Sequence, residues 1–265
     1  DGTVWAWGQN SFGQLGDGTM VARLTPVPVV GLTGVVAVAA GAGHSVALKS
    51  DGTVWTWGIR PDYSTSALPA QVQGLTDVVA IAAGQAHTLA LKGDGTIWAW
   101  GDNRQGQIGD GTTTTRLSPV QVSGISGARS IAAGDQHSVA VGVDGTVWTW
   151  GGNSYGQLGN GTKSHLLSPT PVPAQVAGIS GVIRAAAGAY HTLVLRADGS
   201  VWGWGANFGG SLGDSTSEER LTPVRAGTLQ NVVSIAVGSG ISTALLADGS
   251  VWVWGQNPSS VGLGI

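Results

Sequence analysis

The chain has 265 residues, a formal net charge of −3, charged residues at only 10% of the total, and no cysteine. An average soluble domain is roughly a quarter charged, and the twelve basic residues here are scattered. They form no clustered surface of the kind that displaces counterions from nucleic acid. Disulfides and thiol catalysis are excluded, and no apolar run approaches the ~20 residues of a bilayer span, so neither nucleic acid nor membrane insertion is expected.

Glycine supplies 45 residues, far above the usual ~7%. It has no Gly-X-Y period and is interleaved with Val, Ile, Leu and Trp, which excludes collagen and argues against a disordered linker. The chain begins at Asp1 with neither a methionine nor a signal peptide, which leads us to expect a processed product or one segment of a longer polypeptide.

In chain order, the first phrase is Asp-Gly-Thr-Val-Trp-Ala-Trp-Gly at 1–8. Asp-Gly-Thr/Ser returns at Asp51, Asp94, Asp144, Asp198 and Asp248, at intervals of 50, 43, 50, 54 and 50 residues. Each copy runs through Val or Ile into Trp-x-Trp-Gly: Trp5/Trp7, Trp55/Trp57, Trp98/Trp100, Trp148/Trp150, Trp202/Trp204 and Trp252/Trp254, which together are all twelve tryptophans. A second unit precedes the last five copies, as VVAVAAGAGHSVALKS at 35–50 and its counterparts at 78–93, 128–143, 182–197 and 232–247. A third, Asn-x-x-Gly-x-Leu/Ile-Gly-Asp/Asn, follows most copies and leads to Pro-Val.

Each period therefore predicts four short strands: A (VVAVAA-like), B (HSVALK-like), C (TVWAWG-like) and D (PVPV- or PVQV-like). Strand length, β-branched content and the Gly, Asp and Pro turns favour strand over helix, and Asp-Gly between B and C is a strong hairpin signal. Four antiparallel strands in 43–54 residues is the period of a β-propeller blade. The expected fold is all-β, a single propeller domain over 1–265, with five full repeats of about 50 residues and a sixth partial one. The small Ala-Ala-Gly closing strand A suits an innermost strand.

The combination AAGxxHS, DGxVWxWG and NxxGQLGDGT resembles the repeat of the regulator of chromosome condensation superfamily, over almost the whole chain. That resemblance implies a ring, typically of seven blades. It spans functions as different as nucleotide exchange on a small GTPase, UV-B sensing and inhibition of β-lactamases. Here the strands count five A, five B, six C and five D. A five-bladed ring closing 232–246 on 1–30 leaves one C strand over, so the expectation is a propeller cut in mid-blade at both ends. An open ring would leave apolar surface and strand edges exposed, favouring closure or association with another copy. The photoreceptor's Gly-Trp-Arg-His-Thr-type motif is replaced by Ala-Gly-His-Ser and the like, which removes support for UV sensing.

In an up-and-down blade the A–B and C–D loops share one face and the Asp-Gly turns lie on the other. The first face carries the residues that vary between repeats, and all five Phe and Tyr residues fall in its loops. Aromatic and arginine residues on a rigid scaffold are the usual anchors of protein interfaces. The candidate binding face is Phe12, Arg60, Tyr63, Gln85, Arg104, Asp135, Gln136, Tyr155, Tyr190 and Phe208.

Other patterns carry no chemistry. The paired tryptophans are expected to pack between blades. His44, His87, His137 and His191 share one repeat position, filled by Ile241 in the fifth copy; neighbouring blades set them on the order of 10 Å apart, too far to share a zinc, so each is expected to be structural and bonded to backbone. His165 sits in a loop with no evident partner. Gly152-Asn-Ser-Tyr-Gly156 matches a hydrolase elbow only without the strand-to-helix context that motif needs. The GQLGDGT loops lack the Lys-Ser/Thr of a phosphate loop. Asp17, Asp110 and Asp214 lack calcium-loop spacing and read as Asx-Gly turns. Asn160-Gly-Thr162 is a lone glycosylation sequon.

No catalytic residue, cofactor or metal is expected. The leading functional reading is a non-catalytic scaffold binding a protein partner or its own copies, secreted or at the cell surface, with a cytoplasmic site left open. The alternatives are a secreted inhibitor of a bacterial enzyme, then nucleotide exchange on a small GTPase, for which no wedge-like insertion or basic tail is visible, and carbohydrate binding.

Overall fold

The Asp-Gly-Thr/Ser turns close on themselves. Asp144 Oδ1 accepts from the Thr146 N–H at 3.0 Å and from its hydroxyl at 2.7 Å, while Gly145 takes φ 80°, a conformation that L side chains resist. In the computed structural model, which describes residues 1–164 and 168–256, such turns join strands B and C throughout. His165 lies outside the described residues.

Among the described residues, twenty-one strands form six antiparallel sheets. The first pairs β1 (Trp5–Gly8) with β2 (Arg23–Pro28). The second runs β3 (Val35–Ala40), β4 (His44–Lys49), β5 (Val54–Ile59), β6 (Thr65–Gln71). The third is β7 (Val78–Ala83), β8 (His87–Lys92), β9 (Ile97–Gly101), β10 (Arg116–Gln121). The fourth is β11 (Ala128–Ala133), β12 (His137–Gly142), β13 (Val147–Gly151), β14 (Thr170–Gln175). The fifth is β15 (Val182–Ala187), β16 (His191–Arg196), β17 (Val201–Gly205), β18 (Arg220–Arg225). The sixth is β19 (Val232–Val237), β20 (Ile241–Leu246), β21 (Val251–Gly255).

The strand types match expectation, and among the described residues so do the incomplete end blades: four sheets have all four strands, the first holds C and D, and the last A, B and C. Residues 232–246 do not pair with 1–30: β20 lies between β19 and β21, and β1 pairs only with β2.

The core is a series of inter-blade layers. Between the third and fourth sheets, Leu89, Leu91 and Ile97 meet Ala140 and Trp150; between the fourth and fifth, Val139, Val141 and Val147 meet Val194 and Trp204. The two tryptophans of each C strand are not equivalent. In the four complete blades the second is buried in the inter-blade core, fully so for Trp150 and Trp204, whereas the first is half-buried at the margin of that core. Trp148, for example, packs against the layer of Leu89 and Trp150, and its Nε1 donates to Thr146 Oγ1 at 3.3 Å. Trp252 of the sixth sheet is 53% exposed. In the first sheet both are open, Trp5 at 56% and Trp7 at 62% exposure.

Loop-to-loop bonds define two faces. On one, the Asp102, Gly152 and Ala206 N–H groups that begin C–D loops donate to the carbonyls of Ala86, Gln136 and Tyr190 in A–B loops. On the other, B–C turns meet D–A loops, as where Ala128 N–H donates to the Gly95 carbonyl at 3.0 Å.

Candidate functional site: the loop face and its unfilled junction

Four of the five C–D loops are built around a buried asparagine. Asn103 Nδ2 donates to the carbonyls of Thr112 (3.0 Å) and Thr114 (3.1 Å), and its Oδ1 accepts from the Ile108 N–H at 2.9 Å. Asn10, Asn153 and Asn207 occupy the same place, with Oδ1 accepting from Leu15, Leu158 and Leu212. Downstream, Asp17, Asp110 and Asp214 cap the turn through Thr19, Thr112 and Thr216 and pair with Arg23, Arg116 and Arg220. Burial raises the Asp17 carboxyl, but its bonds from Thr19 and Arg23 outweigh that and hold it down at about 2. These carboxylates fold a loop, as the sequence suggests.

Each such loop drives an aliphatic side chain and a carbonyl into the junction with the next blade. Leu15, Ile108, Leu158 and Leu212 are buried. The carbonyls of Gln14, Gln107, Gln157 and Ser211 accept from the indole N–H of Trp57, Trp150, Trp204 and Trp254 at 2.8–2.9 Å. They also accept the hydroxyls of Ser45, Ser138, Thr192 and Ser242, at 2.7–3.0 Å.

The same hydroxyls meet the repeated histidines of the preceding blade. His87 Nε2 lies 2.9 Å from Ser138 Oγ, His137 Nε2 3.0 Å from Thr192 Oγ1, and His191 Nε2 3.1 Å from Ser242 Oγ. Because each hydroxyl spends its one proton on the loop carbonyl, the imidazole Nε2–H is the donor and Nδ1 carries no proton. The histidines are structural, but they bond to hydroxyls of the next blade rather than to backbone. Burial depresses them to about 4 (His44, His191) and about 3 (His87, His137). Among the described residues no three His, Cys, Asp or Glu side chains cluster to hold a metal.

The junction between the second and third sheets breaks the pattern. Its C–D loop is a tight turn, Arg60 to Ser64, closed by Arg60 N–H to the Ser64 carbonyl at 2.8 Å and by Asp62 Oδ1 accepting from the Ser64 N–H at 3.0 Å, with Tyr63 at φ 65°. No aliphatic-carbonyl plug enters. Thr88 keeps its histidine contact, His44 Nε2 at 3.1 Å, but has no loop carbonyl, and the Trp100 N–H has no acceptor among the described residues. In place of the plug is a cavity of about 610 Å³, within the range of ligand sites.

The predicted face residues fall into two groups. Arg60, Tyr63, Gln85 and Arg104 line this cavity. Arg104 donates to the Tyr63 hydroxyl, lies 6.0 Å from its ring centre, and places Nε 3.2 Å from Asp102 Oδ1 without the alignment of a hydrogen bond. At the junction of the fourth and fifth sheets, Tyr155 meets Tyr190 at 4.8 Å between ring centres and Phe208 edge-on at 5.4 Å. Gln136 sits beneath Gly152, its carbonyl bonded there at 2.7 Å, and burial raises the neighbouring Asp135 carboxyl. Phe12 stands apart from both groups, packed on Gly43. Trp100, Thr88 and Asp102 are additional site residues that no motif indicated; their signal was the 43-residue interval and the missing Asn-x-x-Gly-x-Leu-Gly.

Blades of four antiparallel strands, tied by Trp-to-loop-carbonyl and His-to-hydroxyl bonds, define a β-propeller of the regulator of chromosome condensation type. Residues 62–265 match the RCC1-like domain and residues 1–48 the RCC1 repeat, so the chain belongs to the RCC1-like family. Prp20p of Saccharomyces cerevisiae, whose structure is described with its binding to Gsp1p and histones, is similar at a TM-score of 0.84 and 26% identity, over 96% of this chain and 67% of that one. Human WBSCR16 is similar at 0.76 and 26%, over 88% and 65%. Human E3 ubiquitin-protein ligase HERC2 is 45% identical over 65 residues, 24% of this chain and 1% of that protein; rat alsin is 44% identical over 57 residues, 21% of this chain and 4% of that one. The chain thus spans a small fraction of these sequence relatives.

Proposed function

We propose that the chain is a non-catalytic recognition module that holds a protein partner, or a second copy of itself, on the face made by the A–B and C–D loops. The Tyr155–Tyr190–Phe208 cluster carries this reading. Three rings from adjoining loops stand together on a rigid rim, with Phe208 41% exposed, and clustered aromatics on a preorganised scaffold are what interface hot spots are made of. The likeness to Prp20p, described as binding Gsp1p and histones and solved with Kap60, supports protein recognition by this fold. The repeated histidines support the absence of catalysis, since they are buried and committed to structural bonds. Enzyme inhibition and carbohydrate binding have no observation of their own.

The test is quantitative capture by the wild-type chain, the Tyr155→Ala/Tyr190→Ala double variant, and Thr228→Ala, whose exposed side chain lies in a D–A loop on the opposite face. A partner identified with the wild type is then titrated as a purified protein. The double variant is expected to weaken binding at least tenfold and Thr228→Ala to leave it unchanged. Equal binding by all three overturns the assignment of the face.

A further inference from the structure

Resting on that reading of the loop face, we infer that the cavity over Trp100 is a binding site for a peptide loop from a partner, one that presents a main-chain carbonyl followed by a leucine or isoleucine, in the manner of Gly-Gln-Leu-Gly. The chain itself supplies the comparison. At the other four junctions the same cradle is filled in cis by such a segment. Gly16 and Gly109 there lie against the indole and a valine, Trp57 with Val29 and Trp150 with Val122. The corresponding Trp100 and Val72 line the cavity.

Two donors define what the occupant must offer. Trp100 is 5% exposed and Thr88 1%, yet the indole N–H has no acceptor among the described residues, and the Thr88 hydroxyl meets only His44. At the filled junctions one carbonyl satisfies both, 2.8 Å from the Trp150 nitrogen and 2.8 Å from the Ser138 oxygen. Trp100 lines the cavity and its N–H is not among the buried side-chain atoms that lack a partner, so the donor is open to an occupant whose carbonyl can bond it. Beside it, Val72, Leu117 and Pro119 give the aliphatic wall. The mouth carries Arg60 and Arg104 against Asp62 and Asp102, so its charges balance and select neither a strongly acidic nor a strongly basic segment. A peptide carbonyl with an aliphatic neighbour meets all of these conditions together.

The probe is the N-acetylated, C-amidated octapeptide Asn-Arg-Gln-Gly-Gln-Ile-Gly-Asp, the sequence of residues 103–110. The readout is the indole N–H region of the ¹H–¹⁵N spectrum of the intact chain, with the Trp100 signal assigned by its loss in Trp100→Phe. The peptide is expected to shift that signal downfield, saturably. Thr88→Val is expected to weaken the affinity about fivefold to tenfold, the worth of one hydrogen bond, while the other indole signals report that the variant is folded. The same peptide with aspartate for isoleucine is expected not to bind. No saturable shift at millimolar peptide, or an equal shift with the aspartate peptide, overturns the inference. An equally strong response to N-methylacetamide also overturns it, in favour of a small carbonyl ligand. Titration of the Tyr155→Ala/Tyr190→Ala variant separates the two readings: peptide binding is expected to persist there. If the peptide fails while partner capture still depends on Tyr155 and Tyr190, the cavity assignment falls and the face stands.

Discussion

The indole of Trp150 donates to the main-chain carbonyl of Gln107 at 2.8 Å, tying the fourth sheet to the loop that leaves the third. One sheet earlier, Trp100 occupies the same repeat position with no loop carbonyl to receive its N–H. Replacement by phenylalanine therefore removes ring volume at both sites but a hydrogen bond at only one. Trp150→Phe is expected to cost about 1 kcal/mol more than Trp100→Phe, the net worth of a buried bond. Urea midpoints at constant m-value measure the difference; equal losses would mean that the tie contributes nothing.

The histidines make stability depend on pH in a definite direction. Burial holds His44 and His191 at about 4 and His87 and His137 at about 3, with charge on neighbouring imidazoles adding to the depression of the last two, against an ordinary value of 6.5. Between 6.5 and those values the unfolded chain binds protons that the folded chain refuses. The stability they contribute is complete above 6.5, falls as pH drops through that window, and levels off below the folded values. Each histidine supplies a slope of about 1.4 kcal/mol per pH unit. His137→Gln is expected to flatten the profile between pH 6 and 4 by that amount, whatever it does to stability at pH 7. Urea unfolding at half-unit steps of pH checks this, and parallel profiles for the two proteins would refute it.

Gly134 shows why the innermost strands end in glycine. Its φ is not in the left-handed region, so alanine there meets no backbone penalty. A Cβ at this position would nevertheless collide with the His137 ring of its own blade and with the Gly188 carbonyl of the next. Both obstacles are fixed, one by its bond to Thr192 and the other by the blade contact itself. Gly134→Ala is expected to cost about 3 kcal/mol, the upper end for overpacking. By contrast Gly74→Ala, where a Cβ meets nothing but φ is 76°, loses only the conformational cost of about 1 kcal/mol. Comparing the two variants by thermal unfolding separates crowding from backbone strain.

Much of this architecture was legible in the sequence because it repeats. The period, the Asp-Gly turns and the Trp-x-Trp pairs located every strand, and strand order alone put Tyr155, Tyr190 and Phe208 on one face. What single residues bond to was less visible. Nothing in AAGxxHS says that the histidine reaches a hydroxyl about fifty residues away, since that partner depends on how blades stack. Likewise Trp-x-Trp does not say that the second ring is buried in the junction while the first stays half-buried at its margin. The cavity over Trp100 was written in the sequence as a shortened interval, 43 residues against 50. Reading it required knowing that the missing segment fills space between blades, which only the other four junctions reveal.

Asn103 gives the sharpest test of how those plugs are held. Its amide donates to the Thr112 and Thr114 carbonyls and approaches Asp110 Oδ1 at 3.3 Å, while its own oxygen accepts from Ile108. Alanine removes every one of these bonds inside a buried loop. Asn103→Ala is expected to cost about 3 kcal/mol, with backbone groups left unpaired. Aspartate keeps the acceptor for Ile108 but turns the donor into an anion facing two carbonyls and the Asp110 carboxylate. That carboxyl would be held above its ordinary range, so the folded state would bind its proton more readily than the unfolded one. The deficit of Asn103→Asp relative to wild type should then be greatest at pH 7 and shrink as pH falls toward 4, whereas the deficit of Asn103→Ala stays constant. Paired urea titrations at the two pH values measure both. A pH-independent deficit for Asn103→Asp would show that the side chain leaves the loop instead of remaining among its acceptors.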